Sequence, residues 1–379
     1  MVLRAASALS EHPLASHAVG EVAGSILEAM QGDPIDLLVV FFHSSHVGAF
    51  EDISTALHEL LNPAHSIGSS ASGVIRNDSE VEFRQALSVW AASGIDTAPF
   101  RLEAQATTPD GGWPADWRNA ILLADPFSTP LQEVFDAAVS DAPDLVFSGG
   151  LASGASGPGG NRLLLDGQIL TDGAVGMSLS GAKISTVVSQ GCRPIGEPAT
   201  VTATAGNPGE RTNVIAALAS KPPVEMLQAM SNDATEEERA LLSQGLHIGV
   251  VIDEQRHDHD TGDFLIRRVL GADKASGAIA VGTAVEVGTT VQFHVRDAES
   301  ATEDLQRSLT GKQAQAALAF TCNGRGEHLF GYSGHDAEMV YTMTGSDAVA
   351  GMFCAGEFGP VQKRNHIHGF TASLMLFHL

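Results

Sequence analysis

The sequence predicts a mixed α/β (α+β) protein of two related domains, with mixed sheets flanked by helices. Three observations carry that prediction. Apolar runs of strand length, such as Ile35–Phe42 and Ala316–Phe320, alternate with segments of helical period. Two of these runs end in a six-residue polar loop, His43–Gly48 and Thr321–Gly326; in each case a helical stretch follows, then a strand with glycines five apart, Gly68 and Gly73 or Gly351 and Gly356. The 379 residues, 44 % hydrophobic and 17 % charged, suffice for two globular cores.

The elements follow in order. Leu3–Leu9 reads as a strand. His17–Gln31 reads as a helix, with Val19, Val22, Ile26 and Met30 on one stripe and Gly32 and Pro34 beyond its end. Ile35–Phe42 is apolar throughout, as in a strand buried on both faces. Phe50–Leu61 is helical and stops at Asn62-Pro63; a strand through Ser66–Ile75 ends in small residues. Alternating strands are expected at Phe83–Ala92 and Phe100–Thr107, and further strands at Ala120–Ala124 and Leu145–Phe147. Between the latter two lies a helix, Leu131–Ser140, with Pro130 at its start. Asp166-Gly167 marks a hairpin, and Ala174–Leu179 and Lys183–Ser189 are strands. Gly196–Gly209, rich in Gly, Pro, Thr and Asn, reads as the domain boundary, giving domains 1–198 and 199–379. In the second half, Thr235–Glu238 and Ser300–Glu303 read as capping boxes opening helices. Strands are expected at His247–Ile252, Phe264–Val269, Ala278–Val281 and Thr290–Val295, then Ala316–Phe320, a helix at Asp336–Thr342, and strands at Met352–Phe358 and Ile367–Phe377.

The composition excludes several function classes. A net charge of -24 with 21 basic residues argues against a nucleic-acid partner, because a phosphate-reading face needs clustered Lys and Arg. No run of 18 apolar residues is present and no leader is evident, so no membrane partner and a cytoplasmic location are expected. Three widely spaced cysteines fit a reducing compartment, and the lack of C-x-x-C leaves no structural zinc site. No metal or other cofactor is expected.

Taken in order, the motifs Ile67–Gly73, Phe147–Ala152, Asp172–Gly176, Gln190–Gly196, Phe320–Gly326, Phe353–Pro360 and His368–Thr371 resemble the FIST family, with its N-terminal and C-terminal domains in tandem. The resemblance implies an intracellular sensory module that binds small ligands, amino acids among them, and passes its state to a signalling protein partner. It supplies no catalytic residues.

The candidate ligand-binding residues are Ser44, Ser45, Gly68, Ser69, Ser70, Ala71, Gly149, Gly150, Gln190, Cys322, Asn323, Gly324, Arg325, Cys354, Ala355, Gly356 and Glu357. Arg325 suits the anionic end of a small polar ligand, bidentately, and would also lower the Cys322 thiol pKa. Glu357 suits a cationic end, and the glycines permit close backbone approach. Two other classes stay open: a hydrolase or transferase using Cys322 or a pocket histidine such as His43 or His46, and a protein-interaction adaptor. His257-Asp258-His259-Asp260 reads as a solvated acidic loop. His366 and His368, two apart on a strand, read as core or rim histidines, and Cys192 as a small buried hydrophobe.

Overall fold

A computed structural model describes residues 3–207, 209–255 and 261–378 of the chain, and shows mixed α/β architecture, with four six-stranded sheets, one of them a closed barrel, and flanking helices. The chain forms two compact units, residues 1–189 with 305–379 and residues 190–304. The first unit is therefore made from both ends of the chain.

That first unit holds three sheets of one plan. The first sheet runs in the order Arg4–Ser10, Leu87–Ser93, Leu37–His43, His65–Ala71, Leu163–Leu165, Gln168–Leu170. The second runs Asp96–Leu102, Ala174–Ser180, Asn119–Ala124, Val146–Leu151, Glu357–Val361, Arg364–His368. The third runs Lys183–Gln190, Thr371–His378, Ala316–Cys322, Ala348–Cys354, Gly73–Arg76, Ser79–Glu82. In each, the central two strands are parallel and joined by a helical crossover, and the remaining named pairings are antiparallel. After its second parallel strand the chain leaves as a hairpin and pairs in another sheet. The hairpin after His65–Ala71 joins the third sheet, the one after Ala348–Cys354 joins the second, and the one after Val146–Leu151 joins the first. The exchange is cyclic, so this unit consists of three structural repeats, residues 4–93, 96–180, and 183–189 with 305–378.

Packing follows from this plan. Alternate residues of the central strands face a core common to all three sheets, with Phe41, Ile67 and Trp90 from the first, Ile121, Leu123 and Met177 from the second, and Phe320, Met352 and Phe377 from the third. The opposite faces are covered by helices. Phe42 and Val40 meet the helices Ala15–Met30 and Phe50–Leu61; Leu122 and Phe147 meet Leu131–Asp141; Ala319 and Val349 meet Leu305, Leu309 and Val340. Burial on both faces explains why these strands read as continuous apolar runs. One glycine per repeat is obligatory. Gly68, Gly149 and Gly351 each face a residue of the first parallel strand, Val40, Leu122 and Ala319. A Cβ there would lie 2.4, 1.9 and 2.0 Å from the facing carbonyl oxygen.

The second unit is the barrel, in the order Cys192–Thr204, Thr212–Leu218, Ile279–Val285, Phe264–Ala272, Leu246–Val251, Thr290–Arg296. Gly196–Gly209, expected as a linker, contributes mostly to its longest strand. Thr235 and Glu238 do form a capping box. The other expected cap moves: the helix Ala298–Leu309 begins before Ser300, and the Asp297 carboxylate receives the Glu299 N–H (3.3 Å) and the Ser300 hydroxyl (2.6 Å). The stretches read as single strands at Met352–Phe358 and Ile367–Phe377 are each divided, the second by Phe370 at φ 64°. The loop His43–Gly48 is a 3₁₀ turn, Ser44–Ala49.

Candidate functional site

The carboxyl ends of the parallel strands carry the segments Ala71-Ser72-Gly73, Ala152-Ser153-Gly154 and Cys354-Ala355-Gly356, one from each repeat. They meet. The Ser153 hydroxyl receives the Ser72 N–H (3.0 Å) and donates to the Phe353 carbonyl (2.6 Å). Leu151 and Ala355–Gly356 exchange backbone hydrogen bonds, and the Ser72 hydroxyl donates to Asn323 (2.6 Å). Residues 72, 151–153, 322–325 and 354–357 thus share one neighbourhood, all within the first unit.

Its most polar part is buried. Arg325 has no exposed surface, and its Nε and Nη2 donate to Asp336 at 2.6 and 2.8 Å. The Thr321 hydroxyl (2.6 Å) and His335 (2.9 Å) complete the shell of Asp336. The guanidinium also stands over the Phe330 ring, 5.3 Å from its centroid. Burial alone would push the Asp336 carboxyl up, but Arg325 and these hydrogen bonds hold it well below the usual range. The bidentate contact of Arg325 thus goes to a side chain of this protein. Arg325 Nη1, by contrast, makes no hydrogen bond among the described residues.

Glu357 is equally buried. Its Oε2 receives the Thr371 hydroxyl at 2.6 Å and the Thr371 N–H at 3.3 Å; the Cys322 thiol also hydrogen-bonds to this carboxyl, and Oε1 has no N–H or O–H partner among the described residues. Burial, only partly opposed by Thr371, Arg325 and the Cys322 thiol, raises this carboxyl to about 8. Cys322 and Cys354 face each other in register on the parallel strands, and a Cβ at Gly150 would collide with the Cys354 sulfur. The Cys322 sulfur accepts the Gly324 N–H at 3.4 Å. The expectation that Arg325 would make this thiol acidic is reversed: burial first and the Glu357 carboxyl second push it far up, outweighing the guanidinium. Burial raises the Cys354 thiol likewise. A neighbouring carboxyl, Glu80, accepts the N–H groups of Gly334 (2.9 Å) and Ala337 (3.0 Å) at the start of the helix His335–Thr344; burial and the Asp336 charge raise it to about 8.

The repeats show which of these groups the fold itself demands. Glu357 pairs with Gly150, one residue past the obligatory glycine. The same register position holds Val74 opposite Met352 and Leu163 opposite Ser69, both fully buried. Thr371 precedes Ala372, which pairs with Thr321; the matching residues are Ala86 and Gly173. Cys354 occupies the place of Ala71 and Ala152. Two repeats fill these places with small or aliphatic residues, and the third alone fills them with a carboxyl, a hydroxyl and a thiol.

The other candidate positions lie as follows. Gly68 and Ala71 are packed within the first sheet; Ser69 and Ser70 are buried, Ser69 donating to the Ser70 carbonyl and Ser70 Oγ receiving the Arg162 N–H. Gly149 and Gly150 are strand residues beneath Glu357 and Cys354. Ser44 and Ser45 lie in the 3₁₀ turn, Ser45 bonded to His43. Gln190 opens the barrel unit and is engaged with Asp304 and Phe264. Asn323 and Ala355 are exposed above the cluster, and the Phe370 ring lies against Gly324. Cys322, Arg325, Cys354 and Glu357 are all buried. Cavities of about 310 Å³, lined in the barrel unit by Met226, Met230, Phe293 and their neighbours, and about 170 Å³, beside Asp96 and Trp117, lie away from these residues. His257–Asp260 lies outside the described residues. Among those described, no His, Cys, Asp or Glu group is suited to a metal, and no helix is long and apolar enough to cross a membrane. Sequence reasoning missed Asp336, Thr371 and Ser153. Thr371 closes the motif His368–Thr371 without being singled out, and Ser153 left a trace in Ala152-Ser153-Gly154, which repeats Ala71-Ser72-Gly73.

A three-repeat α/β unit with one chemically distinct strand-end cluster, carrying a barrel inserted in its third repeat, defines the class of protein. Residues 36–218 match the FIST N domain and residues 223–360 the FIST C domain. The chain belongs to the FIST family. It is 39 % identical over 388 residues to an uncharacterized protein of Mycobacterium tuberculosis strain H37Rv, covering 99 % of this chain and 100 % of that one. It is 38 % identical over 380 residues to an uncharacterized protein of Mycobacterium bovis, covering 96 % of each.

Proposed function

We propose that this protein is a sensory module that binds a small polar ligand, with amino acids the first class to test, at the cluster of Cys322, Arg325, Cys354 and Glu357, without covalent chemistry. One observation carries the reading: the third repeat places polar, partly unsatisfied groups where its two sister repeats place aliphatic ones. A buried donor or acceptor left unpaired costs about 1–3 kcal/mol. Arg325 Nη1 and Glu357 Oε1 carry that cost on a backbone that accepts Val or Leu in place of Glu357. A ligand satisfying both recovers it. The burial of all four side chains makes this the closed form. Entry past Asn323, Ala355 and Phe370 needs a local rearrangement, and a ligand that binds the two forms unequally shifts their populations, as a sensor requires. The raised Cys322 thiol suits a lining group better than a nucleophile. Output would pass to a separate signalling protein.

Calorimetric titration of the amino acids against wild type and Glu357→Val tests this. The variant copies Val74 and should fold. Binding to wild type that the variant weakens more than tenfold supports the assignment; no binding, or equal binding by both, removes it.

A further inference from the structure

Resting on that reading, we infer that the cluster recognises the ligand through an anionic group, a small carboxylate, and that Glu357 meets it as a neutral acid donating from Oε1. The geometry sets the polarity. The only guanidinium of the cluster is already matched to Asp336 through two hydrogen bonds, so Glu357 has no counter-charge left. A carboxyl with no exposed surface and no cation of its own holds its proton. Both Thr371 donors sit on Oε2, which assigns the proton to Oε1. Oε1–H, which has no neighbour but the weakly bonding Cys322 thiol, and Arg325 Nη1, which has no partner among the described residues, are then both donors. Two donors fit the two oxygens of a carboxylate and give nothing to an ammonium. The cationic end of an amino acid is therefore left to the rim rather than to Glu357.

The groups facing Glu357 agree with this. Cys322 and Arg325 act on it from the end of Ala316–Cys322 and the loop beyond, and Cys354 from Ala348–Cys354. His368 pairs with it across the hairpin and contacts the Gly359 carbonyl (3.0 Å), and Asp336 stands behind Arg325. Both thiols are pushed up, so neither adds charge at neutral pH. The carboxyl itself is raised to about 8, so it keeps its proton at neutral pH and loses it above that value.

The test uses the full chain, with propanoate, propanamide, propylammonium and alanine titrated between pH 6 and 9.5 into wild type and Glu357→Gln. Propanoate and alanine should bind wild type and propylammonium should not. Affinity should be flat up to about pH 8 and then fall about tenfold per pH unit. Glu357→Gln keeps an uncharged donor of the same shape, so it should bind propanoate within a few-fold and lose the pH dependence. Difference infrared spectra of the two proteins, without ligand, should show a protonated-carboxyl C=O band that disappears as pH rises through 8. Binding of propylammonium, affinity that rises above pH 8, or absence of that band overturns the inference while the sensor reading stands. If no probe and no amino acid binds wild type, the sensor reading itself falls, and this one with it.

Discussion

The third repeat of the first unit and its two sisters have the same backbone and different chemistry. All three place a glycine against a facing carbonyl at the fourth residue of each paired strand, and all three send the following hairpin into a neighbouring sheet. They diverge opposite the residue that follows that glycine, where Val74 and Leu163 give way to Glu357. The molecule thus contains its own control. What recurs in all three is needed to fold, and what appears once on the same scaffold is free to serve a ligand.

The largest effects test whether the repeats are equivalent. Gly68→Ala, Gly149→Ala and Gly351→Ala each force a methyl group onto a carbonyl, with the strand unable to yield. Each should cost more than about 3 kcal/mol, among the largest single-substitution effects. Chemical denaturation would read this. Similar losses at all three sites sharpen the comparison, and one tolerant site breaks it. Next, Asp336→Ala leaves the Arg325 guanidinium buried without a partner and should cost about 3–5 kcal/mol. A loss under about 1 kcal/mol would mean that water reaches Arg325.

Much of this plan was legible in sequence, for reasons that also explain the gaps. The helix Phe50–Leu61 was readable because Phe50, Ile53, Leu57 and Leu61 fall on one stripe and Asn62-Pro63 stops it. The paired glycines at 68 and 73 and at 351 and 356 were readable because short crossovers keep strand and loop adjacent. The third copy, Gly149 and Gly154, has the same spacing, but a glycine-rich stretch separates it from its hairpin at Leu163. The barrel strand Cys192–Thr204 was hidden by Gly196 and Pro198, which read as breakers; the structure accommodates them where the pairing shifts register between Ile195 and Ala199. In the cluster, Arg325 was visible as a lone cation, but its partner Asp336 lies on the far side of Gly331 and Gly334, and no periodicity links the two.

A smaller effect concerns the divergent positions themselves. Glu357→Val with Thr371→Ala copies Val74 and Ala86 and removes a buried carboxyl together with its donor. Thermal and urea unfolding at pH 8.5 should show a gain of about 1–3 kcal/mol, because replacing buried polar groups jointly by apolar ones is often stabilising. Ligand binding should be lost at the same time. A destabilised double variant would show that the carboxyl does structural work its sisters do without, and would remove the main support for a ligand site.

The smallest effects per pH unit separate the two compact units. In the first, Glu80 and Glu357 are raised to about 8 from an ordinary value of 4.5, so the folded state holds protons that the unfolded chain releases. Their contribution is complete below about pH 4.5 and is lost as pH rises through 8. In the barrel, burial lowers His247 and His294, which face each other across paired strands, to about 4 from 6.5. Their contribution is complete above about pH 6.5 and is lost as pH falls toward 4. Each group shifts stability by at most about 1.4 kcal/mol per pH unit. Hydrogen exchange should therefore speed up first in the barrel strands Leu246–Val251 and Thr290–Arg296 between pH 6 and 5, after correction for the intrinsic rate. Between pH 7 and 8.5 it should speed up first in Ala348–Cys354 and Glu357–Val361. The opposite order would mean that solvent already reaches these carboxyls or histidines in the folded state. Burial would then no longer explain why Glu357 keeps its proton.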